Sequence, residues 1–188
     1  MYEAKPYSFD LHEDMVKLLR HEFDVEKVVS KFAEAISAKK KGEIEGIGKQ
    51  IFEQYGRDWM KRVHQLGDEY PDRTYEVLLA AADHTNYLFF PHVPQRFIEI
   101  AYLSTQDIRT LPILESYARC FSYRMVDCLT FKTLKGKCGD EAANLMPCRH
   151  ACLTACETLL QDLNIDATVN MEASMIKDGY CQFALRRA

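Results

Sequence analysis

The spacing of apolar residues changes along this chain, and the change constrains the fold more than any other feature of the sequence. Up to about residue 90, apolar residues recur every three or four positions, which predicts amphipathic helices. Asp10 and Glu13 predict the start of the first helix. We interpret Trp59 and the nearby tyrosines as core residues rather than as the wall of a ligand cavity. The three helical stripes are Leu11, Met15, Leu18 and Leu19; Val25, Val28, Val29, Phe32 and Ile36; and Ile47, Ile51, Phe52, Tyr55, Trp59, Val63 and Leu66.

The last third of the chain has a different pattern. Aromatic and β-branched residues after position 120 predict a strand, and an alternation of apolar and polar residues near position 170 predicts a half-buried one. In order, we predict a strand over residues 120–133, a turn at 135–140, a helix over 148–163, a strand over 167–175, and a hairpin at Asp178-Gly179. This order indicates an α+β fold, with a helical first half packed against a small antiparallel sheet and a covering helix.

Length and composition limit the class of protein. The 188 residues fit one domain, with a helical part at 1–90 and a strand–helix–hairpin part at 112–188. A hydrophobic share of 47% indicates a globular chain, and a net charge of −4 gives no general attraction for nucleic acid. No apolar run approaches the ~18 residues of a membrane span, and no signal-peptide pattern opens the sequence. We therefore expect a cytoplasmic protein without nucleic-acid or membrane partners.

Seven cysteines, an odd number, suggest a role other than cross-linking. Reducing cytoplasm keeps thiols free, so the choice is between packing, metal binding and reactivity. Cys148, Cys152 and Cys156 share one helix face at four-residue spacing, and we interpret the last two as core. Cys148 differs because it lies in the first helical turn. There the free backbone N–H groups and the helix dipole lower a thiol's pKa, so Cys148 is the candidate nucleophile.

Two further roles for these side chains stay open at this point. His150 is a candidate catalytic partner of Cys148 if the helical turn starts after Cys148, because residues two apart on a helix do not face each other. Cys128, Cys148 and Cys181 are candidate zinc ligands. Their separations of 20 and 33 residues lack the close pairs of structural zinc sites. Three cysteines and a water nevertheless make an acceptable open site if the fold gathers them.

The order and contexts of three cysteines resemble a known pattern. Cys128 follows a strand, Cys148 opens a helix, and a closing hairpin carries Cys181 in the stretch DGYCQF. Over about residues 120–187 this resembles the L-2-amino-thiazoline-4-carboxylic acid hydrolase-like family and the related 4-vinyl reductase domain. The resemblance implies an α+β ligand-binding fold, shared with subunits of vesicle-transport particles, with a cavity between helices and a small antiparallel sheet. It implies thiazoline-ring opening for the hydrolases and binding of small, often hydrophobic, ligands for the vinyl-reductase relatives.

One position departs from the hydrolase pattern. The hydrolases carry an aspartate three residues after the second cysteine, where this chain has Ala151. That aspartate would share a helix face with Cys148, and hydration of a C=N bond needs such a proton donor or acceptor beside the nucleophile. We therefore expect a small-molecule-binding protein with a pocket lined by Cys128, Cys148 and Cys181. The alternative is a hydrolase of cyclic amidines that uses Cys148 as nucleophile or metal ligand.

Two structural expectations follow. The sulfurs of Cys128, Cys148 and Cys181 should lie close together, because the strand ending at Cys128 and the strand carrying Cys181 should share one sheet that the Cys148 helix covers. The helices before residue 85 also have apolar faces that are too extensive to leave open to water. We therefore expect a homodimer that pairs through helices.

Overall fold

A computed structural model describes residues 11–85 and 90–187, and it combines helices with one four-stranded sheet. The elements in chain order are α1 (Glu13–Glu22), α2 (Val25–Ile36), α3 (Lys41–Glu69), α4 (Arg73–Thr85), α5 (His92–Thr105), β1 (Ile113–Tyr117), β2 (Cys120–Met125), α6 (Leu129–Asn144), α7 (Arg149–Asp162), β3 (Ala167–Ala173), α8 (Met175–Asp178) and β4 (Cys181–Arg187). The predicted α+β class is confirmed. Neither described range contains a helix that is both long and apolar enough to cross a membrane.

The three apolar stripes of the first half form α1, α2 and α3. The helix is interrupted between α1 and α2. Asp24 lies at this interruption, and its carboxylate accepts a hydrogen bond of 2.9 Å from the Glu26 N–H and so caps α2. Helix α1 begins at Glu13, and the predicted cap Asp10 lies outside the described residues. Val29 and Phe32 are fully buried, as the helical period requires of a stripe that faces the core.

The sheet has the strand order β1-β2-β4-β3, and all neighbouring strands are antiparallel. Its inner face carries buried aromatic rings, with Tyr123 of β2 stacked between Phe121 and Phe183 at centroid distances of 5.7 and 5.5 Å. Helix α7 lies against this face, since the Tyr123 hydroxyl is 3.3 Å from the Cys156 sulfur. Met125, the last residue of β2, pairs with Cys181, the first residue of β4. This end of the sheet is where the cysteines meet the helices.

The predicted strand over residues 120–133 is wrong in its second half, because β2 ends at Met125 and α6 begins at Leu129. Thr130, Thr133 and Leu134 have the helical spacing of a buried face, and packing of that face outweighs the strand preference of β-branched residues. Strand β1 (Ile113–Tyr117), which pairs with β2, was not predicted from the sequence, because it is only five residues long and mostly exposed.

Both predicted turns also differ from the structure. Residues 135–140 lie inside α6, where Gly139 alone departs from helical geometry with a φ of 78°. The predicted hairpin is confirmed, because β3 and β4 pair antiparallel, but its connection is longer than a two-residue turn: the single-turn helix α8 lies between the strands, and Gly179 ends it with a φ of 75°. Glycine tolerates such positive φ values, so it marks a helix break or a helix end as readily as a hairpin.

Helices α3 and α7 approach each other more closely than side chains ordinarily allow. A Cβ atom on Gly56 would lie 2.2 Å from the backbone oxygen of Ala151, and one on Gly48 would lie 2.7 Å from Cβ of Pro147. Only glycine fits at these positions without a shift of backbone. The contact joins the helical first half directly to the helix that follows Cys148.

We expect Gly56→Ala to lower the free energy of unfolding by about 1–3 kcal/mol, because the added methyl group overpacks the helix contact. Gly46→Ala is the matched control on the same helix, since nothing lies within 4 Å of its Cβ position. That change should stabilise the protein by about 0.5–1 kcal/mol through helix propensity. Urea unfolding measures both. Equal stability of the two variants would show that the helices are not in close contact.

Candidate functional site

Cys128, Cys148 and Cys181 line a single cavity, and Cys152 joins them there. The cysteines come from the start of α6, from α7 and its N-terminal cap, and from the start of β4. The opposite walls come from the long helix α3 and from α5, and most of the lining is apolar or aromatic. The aromatic lining residues are Tyr55, Trp59, Tyr102 and Phe183.

The cavity is narrow in this structure. The volume that the centre of a water molecule can occupy inside the cavity is about 20 Å³. That is room for a water molecule and too little for an organic ligand. Met125 and Met146 form part of the wall, and Arg149 also lines it while its guanidinium pairs with Glu45 at 3.1 Å. An organic ligand therefore enters only if some of these side chains move.

Cys128 and Cys148 both stand at helix N-termini, as the sequence predicted for Cys148, but only the Cys128 sulfur accepts a capping hydrogen bond. Cys128 is the N-cap of α6, and its sulfur accepts a hydrogen bond of 3.4 Å from the Phe131 N–H. Gln106 completes this cap, because its Oε1 accepts from the Leu129 N–H at 3.0 Å. Cys148 is the N-cap of α7, but its sulfur accepts no capping hydrogen bond. The helix whose N-terminus donates a hydrogen bond to a cavity thiol is therefore α6.

Burial raises the pKa of every cavity thiol. It raises the pKa of Cys148 and Cys152 well above the ordinary value, with the neighbouring cysteines adding to the effect, and that of Cys181 to about 12. The pKa of Cys128 is also raised by burial, although the Phe131 N–H partly opposes this. The predicted lowering of the Cys148 pKa is therefore wrong, because loss of hydration outweighs the helix dipole. At neutral pH these thiols are protonated.

His150 is not among the residues that line the cavity. Helix α7 begins at Arg149, but Cys148 already has helical backbone angles (φ −62°, ψ −22°), so the side chains of residues 148 and 150 do not face each other. Burial lowers the pKa of the His150 imidazole, and the charge of Arg149 adds to this effect. His150 therefore lies outside the cavity lining, to which Cys148 belongs.

The cysteines do not form a metal site in this arrangement. Within residues 11–85 and 90–187, no group of three or more histidine, cysteine or acidic side chains is placed to hold a metal ion. As placed here, the sulfurs of Cys128, Cys148 and Cys181, which the sequence suggested as zinc ligands, do not make such a group.

Several cavity residues carried no signal in the sequence. Tyr102 lies in the cavity wall, and its hydroxyl is 3.2 Å from that of Tyr123, which in turn contacts Cys156. Gln106 and Thr130 also belong to the wall. Trp59 was interpreted as a core residue, and it is both buried and part of the lining. Helical spacing identifies such residues as inward-facing, but it does not distinguish a filled core from a cavity.

Comparison of the chain with protein-family models, curated sequences and solved structures finds no match. The family resemblance therefore depends only on the cysteines and the hairpin residues that suggested it. Any function must be argued from the cavity itself.

We expect iodoacetamide to modify Cys138 before the cavity cysteines in the native protein at pH 8. Alkylation requires thiolate. Burial raises the pKa of Cys138 too, with Lys137 opposing this, but Cys138 is only half-buried, whereas Cys148 and Cys181 are buried, with the pKa of Cys148 well above its ordinary value and that of Cys181 raised to about 12. At pH values below its pKa, each thiol should react about tenfold faster for every unit by which the pH is raised, because the thiolate fraction grows by that factor. Peptide mass spectrometry measures the order. Labelling of Cys148 as fast as Cys138 at pH 7 would instead support an activated nucleophile.

Proposed function

We propose that this protein binds a small, predominantly apolar molecule in the cavity lined by Cys128, Cys148, Cys152 and Cys181. The observation that carries the proposal is the convergence of these thiols with aromatic side chains from α3 and α5 around one void. Ligand sites are typically apolar concavities with a few polar groups in the wall. Neutral thiols suit such a wall, because they behave as small apolar groups with weak hydrogen-bonding capacity.

Ligand entry depends on a change in the cavity wall. Met125 and Met146 have flexible, unbranched side chains that adapt to a ligand at small cost. Arg149 is paired with Glu45, and both side chains are substantially exposed at 36% and 63%. Such surface pairs contribute only ~0–1 kcal/mol, so opening this pair costs little. Ligand entry thus depends on two flexible methionine side chains and one weak surface ion pair.

The family resemblance supports the same proposal. It implies a ligand cavity between helices and a small antiparallel sheet, and the observed cavity lies between α3, α5 and α7 on one side and the ends of β2 and β4 on the other. The hydrolase alternative has less support. Cys148 has a raised pKa, and Ala151 stands where a proton-transferring acid would assist it.

Trp59 is the single tryptophan of the chain and lines the cavity, so its fluorescence should report on binding. We expect apolar heterocycles such as benzothiazole to produce a saturable change in this fluorescence. Cys152→Leu should abolish the change by filling the cavity, whereas Cys138→Leu, outside the lining, should leave it intact. Urea midpoints of both variants verify that they fold. Unaltered binding by a folded Cys152→Leu variant would place the ligand elsewhere.

The hydrolase alternative is tested with the same protein. Purified protein is incubated with cyclic amidines, including L-2-amino-thiazoline-4-carboxylate, with and without added zinc, and product is followed by chromatography. We expect no turnover in either condition. Turnover that Cys148→Ser abolishes would replace the binding function with a hydrolytic one.

Homodimer formation is a separate proposal. The apolar helix faces that suggested it are covered within one chain, because Met15, Leu19, Val29 and Phe32 are fully buried. Strand β1 instead lies at an edge of the sheet and exposes Leu114. We therefore propose that a dimer pairs through this edge rather than through helices. Sedimentation at micromolar concentration should then show twice the 21.8 kDa chain mass. A single 21.8 kDa species would contradict the dimer.

The cytoplasmic location expected from the sequence stays a prediction.

A further inference from the structure

A buried hydrogen-bond donor without an acceptor belongs to the wall of the cavity. Trp59 lines the cavity and is 2% exposed, and its Nε1 has no hydrogen-bond partner among the described residues. Buried indole N–H groups usually find an acceptor, because leaving one unsatisfied forfeits its hydration without return. The missing acceptor therefore requires an explanation.

The oxygen atoms of the neighbouring cavity side chains are already engaged with other groups. The Tyr55 hydroxyl donates to the backbone oxygen of Phe23 at 2.9 Å. The Tyr102 hydroxyl bonds to that of Tyr123 at 3.2 Å, and Gln106 Oε1 accepts from the N-terminus of α6. None of these oxygens accepts a hydrogen bond from Trp59 Nε1. An acceptor on a molecule that occupies the cavity would therefore meet an unsatisfied donor in the wall.

The chemistry of the wall also limits the charge of an occupant. Arg149, which pairs with Glu45 at the protein surface, is the one charged side chain among the described residues that line this cavity, and the others are apolar or uncharged. Burying an ion without a partner is strongly unfavourable, whereas an uncharged apolar molecule loses little on entering. A single well-placed acceptor on such a molecule satisfies the indole N–H and fixes its orientation.

We propose that the ligand of this cavity is an uncharged, predominantly apolar molecule with a carbonyl oxygen or heteroaromatic nitrogen that accepts a hydrogen bond from Trp59 Nε1. Trp59 is then the residue that selects ligands with an acceptor over plain hydrocarbons. This inference rests on the proposed binding function. It goes further by naming the chemical class of the ligand and the side chain that recognises it.

The test compares 1-indanone with indane, which share a bicyclic frame and differ in the carbonyl oxygen. Calorimetric titration of wild-type protein and Trp59→Phe gives four Kd values. Because Trp59→Phe keeps an aromatic ring and removes the N–H, it should weaken indanone binding about three- to tenfold more than indane binding. Equal weakening of both ligands overturns the role of Trp59 and leaves the binding function intact. Failure of wild-type protein to bind either ligand overturns the inference together with the binding function.

A second measurement uses the unaltered protein, in case Trp59→Phe does not fold. The chain has one tryptophan, so its ¹⁵N-labelled form has one indole N–H resonance. Saturation with 1-indanone should move the proton of this resonance downfield, and saturation with indane should not. The same shift with both ligands would show that the carbonyl does not accept from Trp59.

Discussion

The close contact between α3 and α7 is the constraint on which the rest of the molecule depends. Gly56 meets the backbone of Ala151, so the two helix axes lie nearer than ordinary side chains would permit. Trp59 follows Gly56 by three residues on α3, and Cys148 precedes Ala151 by three on the other side, so both belong to the faces brought together. A methyl group at position 56 would move the aromatic wall away from the cysteine wall. The cavity is therefore a consequence of helix packing rather than a separate feature.

The competition between helix termini and burial determines the chemistry of the thiols. A helix N-terminus favours a thiolate, and Cys128 receives a hydrogen bond from one. Removal from water disfavours a thiolate more strongly, so even Cys128 has a raised pKa. Cys148 has neither a capping hydrogen bond nor solvent contact to compensate. These buried thiols without a cationic partner are protonated at neutral pH, and they contribute to the wall as small, nearly apolar groups.

Local sequence signals predicted the elements well only where packing agreed with them. The apolar stripes around Phe32 and Phe52 led to the correct helices, because their period matches the face that the core buries. Residues 129–133 have β-branched and aromatic types, yet they start α6 because Thr130, Thr133 and Leu134 form a buried face. Residue preferences differ by less than the free energy of burying such a face, so tertiary packing decides the conformation of a short segment.

The sequence by itself determined the α+β class, the helical first half and three of the four cysteines that line the cavity, because apolar periodicity and residue order are properties of the linear chain. Tertiary structure decided which thiol caps a helix, how far each thiol is removed from water, and that His150 lies outside the cavity lining. It also brought Tyr102 and Trp59 to the cavity from separate helices. These properties arise from atoms distant in the sequence, and no local pattern records how closely two helices approach.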